Sequence, residues 1–262
     1  MLLEAVGATK RFGGLTAVAD ISFAIDPGEI LGIFGPNGSG KTTLLNLISG
    51  TLPMTLGTLL WKGREIQGLA PHRIAELGVV KTFQNPQLFL ELTVFRNVEI
   101  AGHLALKRRE GLSRVRELFG GRRGTRALVA EVDRVLRLCR LEECRDQQAA
   151  NLSYGGEKML GVAMAMMCEP ELLLLDEPAS GLGEEEIANL EGVLGDLRRR
   201  GVALCVIDHK IGFLGRLADR ALALRHGALI AQGPPDAVLN HPEVVKAYLG
   251  GQQRAAPAAA EA

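Results

Sequence analysis

The sequence predicts an α/β fold, a mainly parallel sheet with an α-helical subdomain inserted into it, and three observations carry that expectation. A glycine-rich loop, Gly35-Pro36-Asn37-Gly38-Ser39-Gly40-Lys41-Thr42, joins the apolar run Ile30–Phe34 to a helix-like stretch, Thr42–Ser49, that stops at Gly50. Leu172-Leu173-Leu174-Leu175-Asp176 is an apolar run of the kind found in strands buried on both faces of a parallel sheet. From about Thr93 to Leu152 helical spacing replaces the strand pattern.

In order along the chain, residues 2–34 hold two or three strands, with Asp20–Ile25 alternating at period two before the turn at Asp26-Pro27-Gly28. After the glycine loop and its helix, Leu59–Gly63 reads as a short strand, Pro71–Leu77 as a helix and Val79–Phe83 as a strand ending at Gln84. In the helical stretch, Leu128, Val132, Val135, Leu136 and Leu138 make an apolar stripe over Arg126–Leu141. From Lys107 to Arg126 eight basic residues face only Glu110 and Glu117, which reads as a solvated surface, with contact to lipid headgroups or a basic-patch partner as the second reading.

After Asp176 comes a helix with Glu184, Glu185 and Glu186 at its start and Arg198, Arg199 and Arg200 at its end, charges that complement the helix dipole. Val202–Ile207 is a further buried strand, and strands near Ala221–Leu224 and Leu229–Gln232 flank a turn at His226-Gly227. The alanine-rich segment 251–262 is expected to be disordered.

Composition excludes several classes. Of 262 residues, 47% are hydrophobic and 23% charged, ordinary values for a chain with a real core. Thirty basic residues balance 30 acidic ones, so no global field draws the chain to nucleic acid or an anionic membrane. The four cysteines show neither CxxC pairing nor zinc spacing and read as reduced core thiols. The start of the chain lacks a signal-peptide pattern, and the longest uncharged run, Thr42–Trp61, is broken by Asn46, Ser49, Gly50 and Pro53.

The chemistry begins with the glycine loop, which fits G-x-x-x-x-G-K-[ST] between a strand and a helix. Its backbone N–H groups can converge on phosphate oxygens, helped by the helix N-terminus behind them. Lys41 would reach the β- and γ-phosphates, and Thr42 would hold Mg²⁺. Asp176 and Glu177 leave a buried strand where ligands of a parallel sheet collect. Asp176 can hold Mg²⁺ through water, and Glu177 can polarise an attacking water.

These residues resemble the nucleotide-binding subunits of ABC transporters. Leu152-Ser153-Tyr154-Gly155-Gly156-Glu157-Lys158 is similar to that family's signature sequence, Gln84 in Thr82-Phe83-Gln84-Asn85 to its Q-loop glutamine, and His209 to its switch histidine. Phe12 stands where the family places a ring against adenine. Each has a plainer reading alone: a helix cap for Ser153, a turn for Gly155, a surface amide for Gln84, a structural imidazole for His209, core for Phe12. What the residues have in common is the family's order along nearly the whole chain.

The resemblance implies a P-loop NTPase core with an N-terminal antiparallel β subdomain and the inserted helices, in one ABC ATPase domain over 1–250. Residues 1–85 and 160–250 would form the core and about 86–159 the helical subdomain. It implies ATP and Mg²⁺ as ligands. Glu177, His209 and Gln84 would be catalytic, and Thr42, Gln84 and Asp176 would serve the metal. Phe12, Gly35, Pro36, Asn37, Gly38, Ser39, Gly40, Lys41, Thr42 and Thr43 would bind nucleotide, with Ser153 and Gly155 reaching the γ-phosphate held by a second ATPase subunit, identical or paralogous. Two integral-membrane permeases would receive the motion, a periplasmic solute-binding protein would act indirectly, and no nucleic acid is expected. The protein would lie on the cytoplasmic face of the cell membrane.

Gly13–Val18, Thr82–Asn85 with Leu92-Thr93-Val94, and Lys246–Gly250 are similar to the ATPase subunits of branched-chain amino acid importers, and the Arg-rich insertion to the larger of that system's two ATPase types. Urea and amide importers share much of this wording. A soluble ABC ATPase acting on nucleic acid or ribosomes is a further alternative, as is a protein that binds ATP without useful turnover. The chain departs from the pattern at Tyr154, which replaces the signature's first glycine, at Gly156, which replaces its glutamine, and at Gly183, where the D-loop has an aspartate or asparagine. Those departures leave open whether both sites of a dimer hydrolyse.

Overall fold

The computed structural model describes residues 1–82, 84, 86–102 and 122–252. Most of the basic stretch 107–126 and residues 253–262 of the alanine-rich tail lie outside them.

Two sheets organise the chain. β1 (Leu3–Phe12), β2 (Leu15–Ile25), β4 (Leu56–Trp61) and β5 (Arg64–Glu65) form an antiparallel sheet in the order β2-β1-β4-β5. β3 (Ile30–Phe34), β6 (Val79–Lys81), β7 (Leu172–Asp176), β8 (Ala203–Ile207), β9 (Arg220–Arg225) and β10 (Ala228–Gly233) form the second, in the order β10-β9-β3-β8-β7-β6. It is parallel except for the β9–β10 hairpin.

Every residue of β3, β7 and β8 is buried, which the uncharged runs require, because a strand covered on both faces has no polar side to show. Successive residues feed different cores. Leu31, Ile33, Leu172, Leu174, Cys205 and Ile207 pack with α1 (Lys41–Ile48) and the antiparallel sheet. Phe34, Leu173, Leu175, Leu204 and Val206 pack instead beneath the helices of the opposite face. That alternation is the two-residue period of a strand.

The helical part comprises residues 94–102 (α3), α4 (Arg122–Leu138) and α5 (Tyr154–Met166), after α2 (Pro71–Glu76) has fed β6. Val94, Val98, Val132, Val135, Leu136 and Leu160 join the same apolar cluster as the sheet, so this layer has no separate core. α5 runs unbroken across residue 159, where a subdomain boundary was expected, because its buried side chains bridge helical layer and sheet.

α6 (Glu184–Arg199) and α7 (Ile211–Leu217) cover the sheet between its last parallel strands, and α8 (Pro235–Leu239) and α9 (Pro242–Gln252) close the chain. One expectation is corrected: α9 includes Gly251 and Gln252, assigned to a disordered tail from their composition. The helix begins with a proline and gains Val244 and Ala247 as buried contacts, and this packing outweighs the glycines near its end.

Candidate active site

Four parallel strands deliver their carboxyl ends to one edge of the sheet: β3 leads into residues 35–40, β6 into Thr82 and Gln84, β7 into Asp176 and Glu177, and β8 into Asp208 and His209.

The glycine loop is shaped by close approach. Gly35 (φ 147°) and Gly40 (φ 99°) adopt backbone conformations disfavoured for other residues; a Cβ on Gly35 would lie 2.4 Å from Leu224 O, and one on Gly40 2.3 Å from Ala17 O. Lys41 opens α1 and turns back, its Nζ donating to Gly35 O at 2.8 Å and Pro36 O at 3.0 Å. Burial lowers its pKa, opposed by the carboxylates of Glu177 and Asp176. An ammonium whose hydrogen bonds among the described residues go to neutral carbonyls keeps its charge for an anion.

Ser39 Oγ is buried in the same loop and has no partner among the described residues. An orphaned hydroxyl among backbone amides and a lysine fits a phosphate group. The first amide of the loop is already used, since Gly35 N donates to Tyr248 Oη at 2.9 Å. Burial raises the Tyr248 pKa, so the phenol stays protonated.

Beside the loop, Thr42 Oγ1 donates to Asp176 Oδ1 at 3.3 Å. Lys81 Nζ lies 3.5 Å from Asp176 Oδ2 and donates to Asn46 Oδ1 at 2.6 Å. Adjacent hydroxyl and carboxylate oxygens suit Mg²⁺, which takes few protein ligands and completes its shell with phosphate and water. Among the described residues no group of three or more His, Cys, Asp or Glu side chains could hold a metal alone, and this mode of binding needs none.

Glu177 sits at φ 50°, a left-handed conformation rare outside glycine. Its N–H donates to Ile207 O at 2.8 Å, and its Oε2 accepts from Gln84 Nε2 at 2.9 Å. His209 Nδ1 lies 3.9 Å from the same oxygen. The structure therefore brings Gln84, Glu177 and His209 together from three strand ends. Such a carboxylate can take a proton from a water held between the amide and the imidazole.

Asp208 fixes this arrangement. Fully buried, it accepts from Ala179 N at 2.8 Å and Lys210 N at 2.9 Å, tying the turn after Glu177 to the turn around His209.

Ser153 and Gly155 share no hydrogen bond with the glycine loop among the described residues. Ser153 is exposed and caps α5, accepting from Gly156 N at 3.1 Å, while Gly155 packs so closely on α6 that a Cβ would lie 2.4 Å from Glu186 Oε1. Tyr154 is 42% exposed and rests on Gly181. Gly183 N donates to Glu186 Oε2 at 3.0 Å, so the position lacking a D-loop side chain still starts α6 in order. Phe12, 46% exposed at the end of β1, lies 5.0 Å from Lys10 Nζ at its ring centroid.

Residue patterns gave no role to Lys81, Asp208, Lys158 or Tyr248. A lysine inside an apolar strand was a usable signal for Lys81, whereas Tyr248 meets the loop across more than two hundred residues of sequence.

A family model described as ABC transporter matches residues 18–180, more than half of the chain. The chain belongs to the ABC transporter family. It is accordingly an ABC ATPase, a nucleotide-binding protein that hydrolyses ATP. Residues 228–253 match a second model, described as branched-chain amino acid ATP-binding cassette transporter.

The high-affinity branched-chain amino acid transport ATP-binding protein LivG of Escherichia coli is 37% identical over 95% of this chain and 98% of its own length. The corresponding BraF of Pseudomonas aeruginosa is 36% identical with the same coverage. Among solved structures, the ADP conformation of an ATP-binding cassette of an ABC transporter superposes with a TM-score of 0.81 at 28% identity, covering 95% of this chain and 98% of that one. A nucleotide-free ATP-binding cassette gives 0.79 at 27% identity, covering 94% and 98%. Among the described residues of this ABC ATPase, no helix is long and apolar enough to cross a membrane.

Proposed function

We propose that this ATPase powers an importer of branched-chain amino acids from the cytoplasmic face of the cell membrane, working as one of two ATPase subunits attached to two integral-membrane permeases. A periplasmic solute-binding protein would deliver the solute. The observation that carries the catalytic part is the convergence of Gln84 and His209 on Glu177, beside Lys41, Thr42 and Asp176. The solute is supported by the named relatives and by the match at residues 228–253.

In the proposed mechanism the loop 35–43 holds the ATP phosphates through backbone amides, Ser39 and Lys41, and Phe12 offers its open face to adenine. Thr42 and Asp176 would hold Mg²⁺, assisted by Gln84; when bound, the ion supplies neutralisation of charge on the phosphates. Glu177 accepts a proton from the attacking water, Gln84 orients that water, and His209 contacts the γ-phosphate. Ser153 and Gly155 complete the site of the second subunit, with the α5 N-terminus directed at its γ-phosphate. Hydrolysis cuts the link between the subunits, so the closed state loses its preferential stabilisation and reopens. The exposed apolar residues Phe89, Leu90 and Leu92 offer a seat for permease helices.

Glu177→Gln tests the chemistry: we expect retained ATP binding, an ATP-dependent dimer on size-exclusion chromatography, and hydrolysis reduced by a factor of about 10² or more. Hydrolysis at the parental rate excludes Glu177 as the base. Uptake of labelled leucine by a strain lacking the chain tests the solute; loss of urea or amide uptake with leucine uptake intact assigns it to the other importer class.

A further inference from the structure

Lys158 is a buried cation to which the mechanism above gives no task. It projects from α5, which begins at the Ser153 cap, and only 6% of its surface is exposed. Its ammonium donates to the carbonyl of Gln84, lies 3.4 Å from the carbonyl of Glu177, and sits 5.3 Å from the Tyr154 ring centroid. Among the described residues no carboxylate lies within ion-pair distance of it. Burying an ammonium is costly unless its donors are satisfied, yet here the partners are backbone carbonyls of two residues whose side chains meet each other.

We propose that Lys158 is a positioning residue for ATP hydrolysis, holding the backbones of Gln84 and Glu177 so that their side chains address one water. The proposal rests on the reading of Glu177 as the base. The contacts close a ring: Lys158 to the Gln84 carbonyl, Gln84 Nε2 to Glu177 Oε2 at 2.9 Å, and the Glu177 carbonyl back to Lys158. Glu177 needs restraint from outside because its φ of 50° is intrinsically disfavoured. Ile207 O restrains the residue at its N–H, and Lys158 restrains it at its carbonyl. An ammonium carries three donors, so one side chain serves both carbonyls. The clamp also joins layers, since α5 belongs to the helical part while Gln84 and Glu177 follow core strands.

Lysine and methionine have stems of similar length, so Lys158→Met keeps most packing and removes the donors, whereas Lys158→Arg keeps a cation. Both are compared with the parental full-length chain and with Glu177→Gln for binding of a fluorescent ATP analogue with Mg²⁺, for kcat and KM of ATP hydrolysis, and for the thermal midpoint. The expected result for Lys158→Met is a kcat reduced about 10- to 100-fold, with KM and nucleotide affinity within about twofold. Lys158→Arg should recover most of the lost kcat. If Lys158→Met does not fold, Lys158→Gln is held to the same criteria.

A parental kcat in the folded truncation overturns the clamp. So does a fall in which kcat, nucleotide affinity and thermal midpoint drop together without rescue by arginine, since a purely structural lysine behaves that way. Parental turnover in Glu177→Gln overturns the base assignment itself. An inactive Glu177→Gln beside a fully active Lys158→Met overturns the clamp alone.

Discussion

The two ends of the parallel sheet are made of similar residues held in different ways. At the amino end, Arg220 Nε reaches Glu29 Oε1 at 2.8 Å, Arg198 Nη2 reaches Asp219 Oδ1 at 2.5 Å, and Asp219 Oδ2 accepts from Ile30 N at 2.9 Å. At the carboxyl end the ionisable side chains stand further apart, Lys81 from Asp176 by 3.5 Å and His209 Nδ1 from Glu177 by 3.9 Å. The short contacts of its lysines go to neutral groups: Lys41 to the Gly35 carbonyl at 2.8 Å, Lys81 to the Asn46 amide at 2.6 Å and Lys158 to the Gln84 carbonyl. The buried hydroxyl of Ser39, without a partner among the described residues, and the left-handed backbone of Glu177 lie there too. Tight pairing spends hydrogen-bonding capacity on the fold, whereas loose pairing keeps it for a ligand. The difference marks the scaffold end and the working end of one sheet.

The largest effect that sharpens this contrast is at Lys41. Lys41→Met removes the buried ammonium from a loop that closes upon its own carbonyls, so we expect ATP affinity and kcat/KM to fall by a factor of about 10² or more while the thermal midpoint moves little. Titration with a fluorescent ATP analogue checks it. Parental affinity would mean that the loop's amides alone carry the phosphates.

Asp208 breaks the rule, because it is a fully buried carboxylate at the loose end whose oxygens are both taken by backbone N–H groups of the fold. Asp208→Ala leaves the N–H groups of Ala179 and Lys210 unpaired in the interior, which costs about 2–4 kcal/mol. Since those residues follow Glu177 and His209, turnover should fall along with stability. Thermal unfolding and ATPase assays on the same preparation check it. Lost stability with full turnover would show that the two catalytic turns hold their shape without Asp208.

Residue patterns reached the working end far better than the scaffold end. The glycine loop is legible because phosphate binding constrains consecutive residues, and the leucine run because double-sided burial leaves no polar position. Asp176 and Glu177 were found because they lie at the end of such a strand, and His209 because its place after the next one matches the family's order. Lys158 and Tyr248 could be quoted as parts of motifs, but not their roles, because each meets a backbone group brought near only by folding. A carbonyl or amide partner leaves no trace in residue type. The extent of α9 was misjudged for a related reason: low-complexity composition reports local tendency, while the helix follows contacts made by Val244 and Ala247.

The smallest effect should come from Arg220, and it tests whether the two ends are independent. Arg220 lies on β9, donates to the carbonyl of Ala24 and to Glu29, and so pins the antiparallel sheet to the amino end of the parallel one. Arg220→Met keeps the aliphatic stem and removes both polar contacts. The Ala24 carbonyl and the Glu29 carboxylate then lose a charged donor, for a loss of about 1–2 kcal/mol given their partial exposure. For a chain of this size that corresponds to a fall of about 2–8 °C in thermal midpoint. Turnover at saturating ATP should remain within about twofold, because β3 and β9 are still paired from Leu31–Arg220 to Phe34–Ala223 and hold the glycine loop from below. A tenfold loss of kcat at an unchanged midpoint would break the comparison, because it would mean that strain set at the amino end is felt at Lys41 through the strands.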